Sequence, residues 1–88
     1  MRVTIPDEVV VRDLAGEMIL LHLGTGIYFG LDSVGTRLWQ FLDQDRTTEA
    51  AVRRILQEYE IDERQLNQDC MALVELLIEK QLLIAHSD

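Results

Sequence analysis

The first third of the chain contains short apolar runs that are typical of β-strands. Two of them, Val9–Leu14 and residues 17–23, are separated by Ala15 and Gly16, which form a tight-turn signal. A second turn signal, "GTG", precedes a shorter run at residues 27–31. The pattern therefore predicts a three-stranded antiparallel meander.

After the third run, the spacing of apolar residues changes to the helical period. Asp32 and Ser33 provide an N-cap for a first helix, which is expected to end at residues 43–46. Thr47 or Thr48 is expected to cap a second helix. The first of these helices follows the third strand with almost no linker.

The third helix has the best-marked start in the chain. Asp62 and Gln65 have the spacing of a capping box, and the helix is predicted over residues 63–80. The fold class is therefore α+β, with a three-stranded antiparallel sheet followed by three helices. We predict a single domain over residues 1–88, because a chain of 88 residues has room for one modest core.

The third helix is apolar on three sides, which is more than one small sheet can cover. Its core stripe consists of Leu66, Cys70, Leu73 and Leu77. One flank, expected to pack against the other helices, contains Met71, Val74 and Ile78. The opposite flank, with Leu73 beside it, is predicted to form the wall of a groove and contains Asp69, Ala72 and Leu76.

The charge balance limits the possible partners. The sequence has 16 acidic and 8 basic side chains, a formal net charge of −8, which disfavours nucleic acid and anionic membranes. The N-terminal residues lack the apolar run of a signal peptide, and no stretch is long enough to span a membrane. With a single cysteine, these features predict a cytoplasmic protein.

Few residues could carry chemistry. His22 and His86 have no partners at metal-ligand spacing, so both are interpreted as solvated side chains, and no metal is expected. Cys70 lies on the core stripe without a nearby base, which predicts a buried, inert thiol. No loop has the glycine pattern of a phosphate site. We therefore expect no catalysis and no cofactor.

The third predicted strand has two possible roles. Its residues Ile27, Phe29 and Leu31 share one face, and Tyr28 and Gly30 share the other. In the first interpretation, the aromatic side chains fill the core. In the second, the strand is an open edge that accepts a peptide as an additional strand, because it has none of the charges or prolines that usually protect edges.

Two motifs resemble the PqqD-like proteins. In "GIYFGLDSVGTRLW", the matching positions are Tyr28, Leu31, Asp32, Gly35, Leu38 and Trp39. In "DCMALVELLIEKQLL", they are Asp69, Leu73, Val74, Leu77, Leu82 and Leu83. Gln81 stands where the family usually has glycine, so the helix is expected to end differently there. "TTEAAVRRILQEYEID" is similar to the family's second helix, and the resemblance covers about residues 8–84.

This resemblance implies a fold and a function. The implied fold is winged-helix-like. The implied function is recognition of the leader segment of a ribosomally made precursor peptide, which is delivered to a processing enzyme. The leader would add to the third strand and lie against the third helix. The implied peptide-binding residues are Ile27, Tyr28, Phe29, Gly30, Leu31, Asp69, Ala72, Leu73 and Leu76.

The sequence leaves two questions open: which branch of the family the chain resembles, and whether its function belongs to a different class. The chain looks most like the stand-alone leader-binding proteins of lasso-peptide pathways, whose partner is a leader peptidase. One alternative is a peptide chaperone for a radical-SAM enzyme in pyrroloquinoline quinone biosynthesis. Another is a small winged-helix DNA-binding regulator, which the acidic balance disfavours because the third helix offers only Arg64 and Lys80 as cations.

Overall fold

The computed structural model describes residues 1–87, which form a three-stranded sheet, a two-stranded sheet and three helices. In chain order the elements are β1 (Arg2–Thr4), β2 (Val9–Leu14), β3 (Glu17–His22), β4 (Tyr28–Gly30), α1 (Ser33–Asp45), α2 (Thr48–Glu58), α3 (Glu63–Glu79) and β5 (Ile84–His86). Strands β2, β3 and β4 form an antiparallel sheet in that order, and β1 pairs with β5. The predicted α+β class, with a three-stranded antiparallel sheet followed by three helices, is confirmed.

The three-stranded sheet turns one face toward the helices. On this inner face Val11, Leu20 and Phe29 lie opposite one another, and Leu20 is completely buried. The neighbouring row consists of Val10, Leu21 and Tyr28. Because side chains alternate along a strand, these three point to the opposite side of the sheet, which we call the outer face. Phe29 therefore faces the core and groove side, while Tyr28 and Gly30 belong to the outer face.

The junction between β4 and α1 is fixed by hydrogen bonds from three elements. The Leu31 N–H donates to the Met18 carbonyl oxygen on β3 at 2.8 Å. The Asp32 carboxylate caps α1 by accepting from the Gly35 N–H at 2.7 Å. The buried Thr36 hydroxyl accepts from the Met18 N–H at 2.9 Å and donates to the Leu31 carbonyl oxygen at 3.4 Å. One threonine thus joins β3, the end of β4 and α1.

The other helix starts follow the sequence signals closely. The Thr47 hydroxyl accepts from the Ala50 N–H at 3.2 Å, so Thr47 is the N-cap of α2. The Asp62 carboxylate accepts from the Gln65 N–H at 2.9 Å and caps α3. The reciprocal half of the expected capping box is absent among the described contacts, since the Gln65 amide donates to Asp69 instead. The apolar faces of all three helices meet in one core around Leu38, Trp39, Phe41, Leu42, Ile55, Val74 and Leu77.

The strands β1 and β5 were absent from the predicted pattern. They pair in the register Arg2–His86, Val3–Ala85 and Thr4–Ile84. Val3 is completely buried, and its N–H donates to the Arg46 carbonyl oxygen at the end of α1 at 2.9 Å. Three residues are too few to reveal a period of two, and the partner strand lies at the other end of the chain.

The prediction that both histidines are solvated is wrong. His22 is buried, and its Nδ1 accepts from the N–H groups of Gly24 at 3.0 Å and Thr25 at 3.1 Å. Its Nε2 lies 3.5 Å from Glu8 Oε2. His86 is half-buried in β5 and hydrogen-bonds the Thr4 hydroxyl at 2.7 Å. A histidine without metal-ligand partners is not necessarily exposed to solvent, because an imidazole nitrogen can also accept hydrogen bonds from the N–H groups of a tight turn.

The end of α3 takes the conformation that glycine would favour, although Gln81 occupies the position. Gln81 has a φ of 62°, in the left-handed region. Its N–H donates to the Ile78 carbonyl oxygen at 3.0 Å, and the Leu82 N–H donates to that of Leu77 at 2.9 Å. This is the hydrogen-bond pattern of a Schellman motif, so the helix does not end differently from a glycine-capped helix.

The Thr36 hydroxyl gives a direct test of the β4–α1 junction. We expect Thr36→Val to lower the free energy of unfolding by about 1–3 kcal/mol, because it leaves the Met18 N–H without its acceptor. Thr36→Ser keeps the hydroxyl and is the matched control, so it should lose less. Urea denaturation of the three proteins measures the difference. Equal stability of the valine variant and the wild type would contradict this role.

Candidate peptide-binding edge and groove

The strand β4 has one open side. On its other side, Ile27 accepts from the His22 N–H at 2.9 Å and Leu31 donates to Met18, so residues 27, 29 and 31 form the hydrogen-bonded pairs with β3. Because such pairs alternate in an antiparallel ladder, the main-chain N–H and C=O groups of Tyr28 and Gly30 point away from β3. Among residues 1–87, no strand pairs with this open side.

A groove of about 470 Å³ lies beside the open edge, between β4 and α3. This volume is within the range of pockets that hold a drug-sized ligand. Leu66 and Cys70 are buried in its floor, and the half-buried Leu73 forms part of the α3 wall. The full lining consists of Phe29, Gly30, Leu31, Asp32, Val34, Gly35, Leu38, Ile61, Leu66, Asp69, Cys70 and Leu73.

Charged groups border this otherwise apolar groove. Asp32 is engaged as the cap of α1, and Asp69 Oδ1 accepts from the Gln65 side-chain amide at 2.9 Å. Each carboxylate has one of its two oxygens engaged in these bonds. The Lys80 ammonium lies 6.0 Å from the centre of the Phe29 ring. Two carboxylates in the lining disfavour an anionic occupant at that position and favour a hydrogen-bond donor.

The structure brings together five of the nine residues that the sequence suggested for peptide binding. The five that line the groove are Phe29, Gly30, Leu31, Asp69 and Leu73. Ile27 and Tyr28 lie outside the lining, and 74% of the Tyr28 surface is exposed. Ala72 and Leu76 are exposed on α3 beyond the lining. The α3 wall is therefore narrower than predicted, because it consists of Asp69 and Leu73 above the buried stripe.

Sequence reasoning missed the contribution of α1 and of the segment before α3. Val34, Gly35 and Leu38 line the groove from α1, and Ile61 lines it just before the Asp62 cap. Val34 and Leu38 lie one helical turn apart on the same apolar face of α1, and Leu38 is buried in the core. Spacing cannot show that the same apolar face also borders an open groove.

The opposite flank of α3 is packed inside the protein to different depths. Val74 is completely buried, and Met71 and Ile78 are half-buried. Met71 lies near Thr48 and Val52 of α2. This arrangement agrees with the expectation that this flank meets the other helices.

Cys70 is buried, as the sequence predicted. Burial raises the pKa of its thiol from the ordinary value of 9.0 to about 11, and the negative charge of Glu49 acts in the same direction. A nucleophilic cysteine requires the opposite shift, because the thiolate is the reactive form. The geometry therefore gives Cys70 a packing role on the groove floor.

Within residues 1–87, no group of three or more His, Cys, Asp or Glu side chains could hold a metal ion. No helix in the same range is long and apolar enough to cross a membrane.

Comparison with protein families gives a match over most of the chain. The model of "Coenzyme PQQ synthesis protein D (PqqD)" matches residues 17–83, which include the three-stranded sheet from β3 onward and all three helices. The chain belongs to the PqqD family. The resemblance carried by its two sequence motifs is thereby confirmed, and the open edge of β4 and the α3 wall both lie within the matched PqqD region.

Two solved structures resemble this chain over nearly its whole length. "TbiB1 in Complex with the TbiA(beta) Leader Peptide" is 39% identical, with a TM-score of 0.87, and the match covers 97% of this chain and 99% of that one. "Lasso peptide synthetase B1 complexed with the leader peptide" has the same fold at 22% identity, with a TM-score of 0.84 and coverage of 97% and 100%. The comparison with curated proteins found no match.

The raised pKa of Cys70 leads to a prediction about pH and stability. We expect Cys70→Ala to lower the free energy of unfolding by about 1 kcal/mol, through lost packing. In the wild type, the folded pKa lies above the unfolded one. This contribution to stability is therefore complete below pH 9 and is lost as the pH rises toward 11.

Urea denaturation at pH 7, 9 and 10.5 measures both effects. The alanine variant is the control for other groups that titrate in this range, so the difference between the two proteins should shrink at high pH. A constant difference across the three pH values would contradict the assigned pKa shift.

Proposed function

We propose that this chain binds the leader segment of a ribosomally made precursor peptide in lasso-peptide biosynthesis. The observation that carries the proposal is the open edge of β4 beside an apolar groove. TbiB1, which is 39% identical over nearly the whole chain, is described in complex with a leader peptide, and this supports the same class of ligand here. An extended peptide is the ligand that such an edge and groove accept together.

The binding mode is the addition of a strand to β4. Tyr28 and Gly30 each offer one N–H and one C=O to the peptide, and each bond contributes about 0.5–1.5 kcal/mol. Alternate peptide side chains enter the groove, where Phe29, Leu31 and Leu73 supply apolar contacts. After the cost of ordering the peptide, a few bonds and two or three buried side chains correspond to an affinity between about micromolar and nanomolar.

The chain acts as a carrier that delivers the leader to a separate leader peptidase, and it is not itself an enzyme. Cys70 is the single cysteine and its thiol pKa is raised, which disfavours a nucleophilic role. A carrier needs only a binding surface for the peptide and a second surface for the enzyme. We place the protein in the cytoplasm, where the precursor is made.

A second candidate is the pyrroloquinoline quinone branch, in which the enzyme partner is a radical-SAM protein. The description of the matching family model, coenzyme PQQ synthesis, favours it. Titration of this chain with a lasso-precursor leader and with a quinone-precursor peptide distinguishes the two branches. Tighter binding of the lasso leader supports the first proposal, and tighter binding of the quinone precursor supports the second.

Amide hydrogen exchange tests the strand-addition mode residue by residue. On saturation with a lasso-precursor leader peptide, we expect the amides of Tyr28 and Gly30 to gain protection, because they point to the open side of β4. The Leu31 amide already donates to Met18 and should change little. Protection that appears on another element, with none at Tyr28 and Gly30, would contradict strand addition.

The groove wall is tested with two aspartate variants on the same helix. Leu73→Asp should weaken leader binding by at least tenfold, because it places an unpaired charge in the groove at a cost of about several kcal/mol. It should also slow cleavage of the precursor in a reaction reconstituted with the leader peptidase. Leu76→Asp, one turn further on and outside the lining, is the control and should lose less. A larger loss for Leu76→Asp would place the peptide outside this groove.

A further inference from the structure

His22, the last residue of β3, is a buried histidine whose ring is bonded to the turn that follows it. Its Nδ1 accepts from the N–H groups of Gly24 at 3.0 Å and Thr25 at 3.1 Å. Both partners are donors, so Nδ1 carries its lone pair and the single proton of the neutral ring lies on Nε2. The turn therefore requires one tautomer and one charge state of His22.

The main chain of His22 belongs to the same turn. Its N–H donates to the Ile27 carbonyl oxygen at 2.9 Å, and its carbonyl oxygen accepts from the Gly26 N–H at 2.8 Å. Gly26 has a φ of 75°, in the left-handed region that favours glycine. With the two bonds to Nδ1, His22 thus takes part in four hydrogen bonds that shape the connection between β3 and β4.

This turn determines where β4 begins, because the first residues of the strand have little other support. Ile27 is 38% exposed and Tyr28 is 74% exposed, and neither packs against the core cluster formed within residues 1–87. The other end of β4 is fixed by the Thr36 hydroxyl and the cap of α1. The outward N–H and C=O of Tyr28 are the first groups that β4 offers to a peptide. Their position therefore depends on the turn at His22.

The charged group that faces the imidazole is Glu8, in the segment before β2. Its Oε2 lies 3.5 Å from Nε2 of His22. A side chain at Gly24 would collide with the Glu8 carboxylate and lie 3.0 Å from His22 Cε1, so turn, ring and carboxylate are in close contact. Glu8 pairs with the Nε2 proton in either charge state of the ring, and it does not replace the two bonds at Nδ1. The described residues that line the depression beside the ring are uncharged, namely Pro6, Ile78, Gln81, Leu83, Ile84 and Ala85.

We propose that His22 positions the start of β4 for the peptide and that a proton on its Nδ1 weakens peptide binding. A protonated Nδ1 is a donor that points at two N–H groups, so both hydrogen bonds to the turn are lost. The turn then opens, and the outward groups of Tyr28 are no longer held in line with those of Gly30. This inference rests on the proposed function and adds to it a condition for binding, which is the neutral state of His22.

The direction of the pH effect follows from the state that binds. The neutral ring holds the turn, so the affinity for the leader is complete at high pH and falls as the pH drops through the range in which histidines titrate, roughly pH 8 to 5. Carboxylates ordinarily titrate lower, at about pH 4. The other histidine of the sequence, His86, hydrogen-bonds the Thr4 hydroxyl in the two-stranded sheet, so it provides a control outside the sheet that contains β4.

The test uses the full chain and a fluorescent synthetic lasso-precursor leader that contains no histidine. His22→Asn places an amide oxygen where Nδ1 lies, so the acceptor for the turn is kept but is not protonated in this pH range. His22→Leu keeps an apolar body and removes the acceptor. His86→Asn is the matched control in the other sheet. Thermal melts at each pH show which proteins are folded.

The affinity for the leader is measured by fluorescence anisotropy at pH 7.5, 6.5 and 5.5. We expect the wild type and His86→Asn to bind at least fivefold more weakly at pH 5.5 than at pH 7.5, whereas His22→Asn should change less than twofold. At pH 7.5, His22→Leu should bind at least tenfold more weakly than the wild type, and His22→Asn should recover most of that loss. A role of His22 in stability alone would leave the pH profiles of the folded proteins alike.

Contrary results separate the parts of the proposal. A flat pH profile of the wild type, or an equal decline in His22→Asn, would overturn the effect of the proton. Wild-type affinity of a folded His22→Leu would overturn the positioning role, and if that variant does not fold, the comparison of the wild type with His22→Asn decides. Failure of the wild type to bind the leader at pH 7.5 would instead contradict the proposed function itself.

Discussion

The position of β4 depends on the hydrogen bonds at the start of α1. A strand of three residues forms few ladder bonds, and one of its sides is open, so it needs support from its ends. The Thr36 hydroxyl provides that support, since it bonds both to β3 and to the residue that follows β4. The buried Leu38 and Trp39 then hold α1 in the core. The open edge is therefore held in position by the start of α1, which follows it without a linker.

The sequence was sufficient where a feature depends on neighbours along the chain. The caps at Asp32 and Asp62 and the alternation within β4 are local, and the structure contains them. Features that depend on distant residues were missed. The pairing of β1 with β5, the turn that buries His22, and the exact width of the α3 wall each require knowledge of which elements meet. The excess apolar surface of α3 predicted a groove wall, and the family resemblance added the peptide as its expected occupant.

The alternation of β4 separates two tasks on one short strand. The side chains of Phe29 and Leu31 point to the groove side and that of Tyr28 to the outer face, while Gly30, which has no side chain, borders the groove with its backbone. An open edge beside an exposed Tyr28 is also a liability, because it promotes association between copies. The net charge of −8 opposes such association by repulsion. The acidic composition is thus consistent with a surface that must stay available for partners.

The pairing of β1 with β5 has a consequence for the order of folding. The two strands lie at opposite ends of the described chain, so their pairing closes a long loop, and such contacts form late. The hairpin of β2 and β3 and the three helices are local and can form earlier. Since β5 follows α3 directly through the turn at Gln81, this last pair adds support to the far end of α3, beyond the groove wall of Asp69 and Leu73. The end of α3 that is remote from the groove is therefore the part of the helix whose support is completed last.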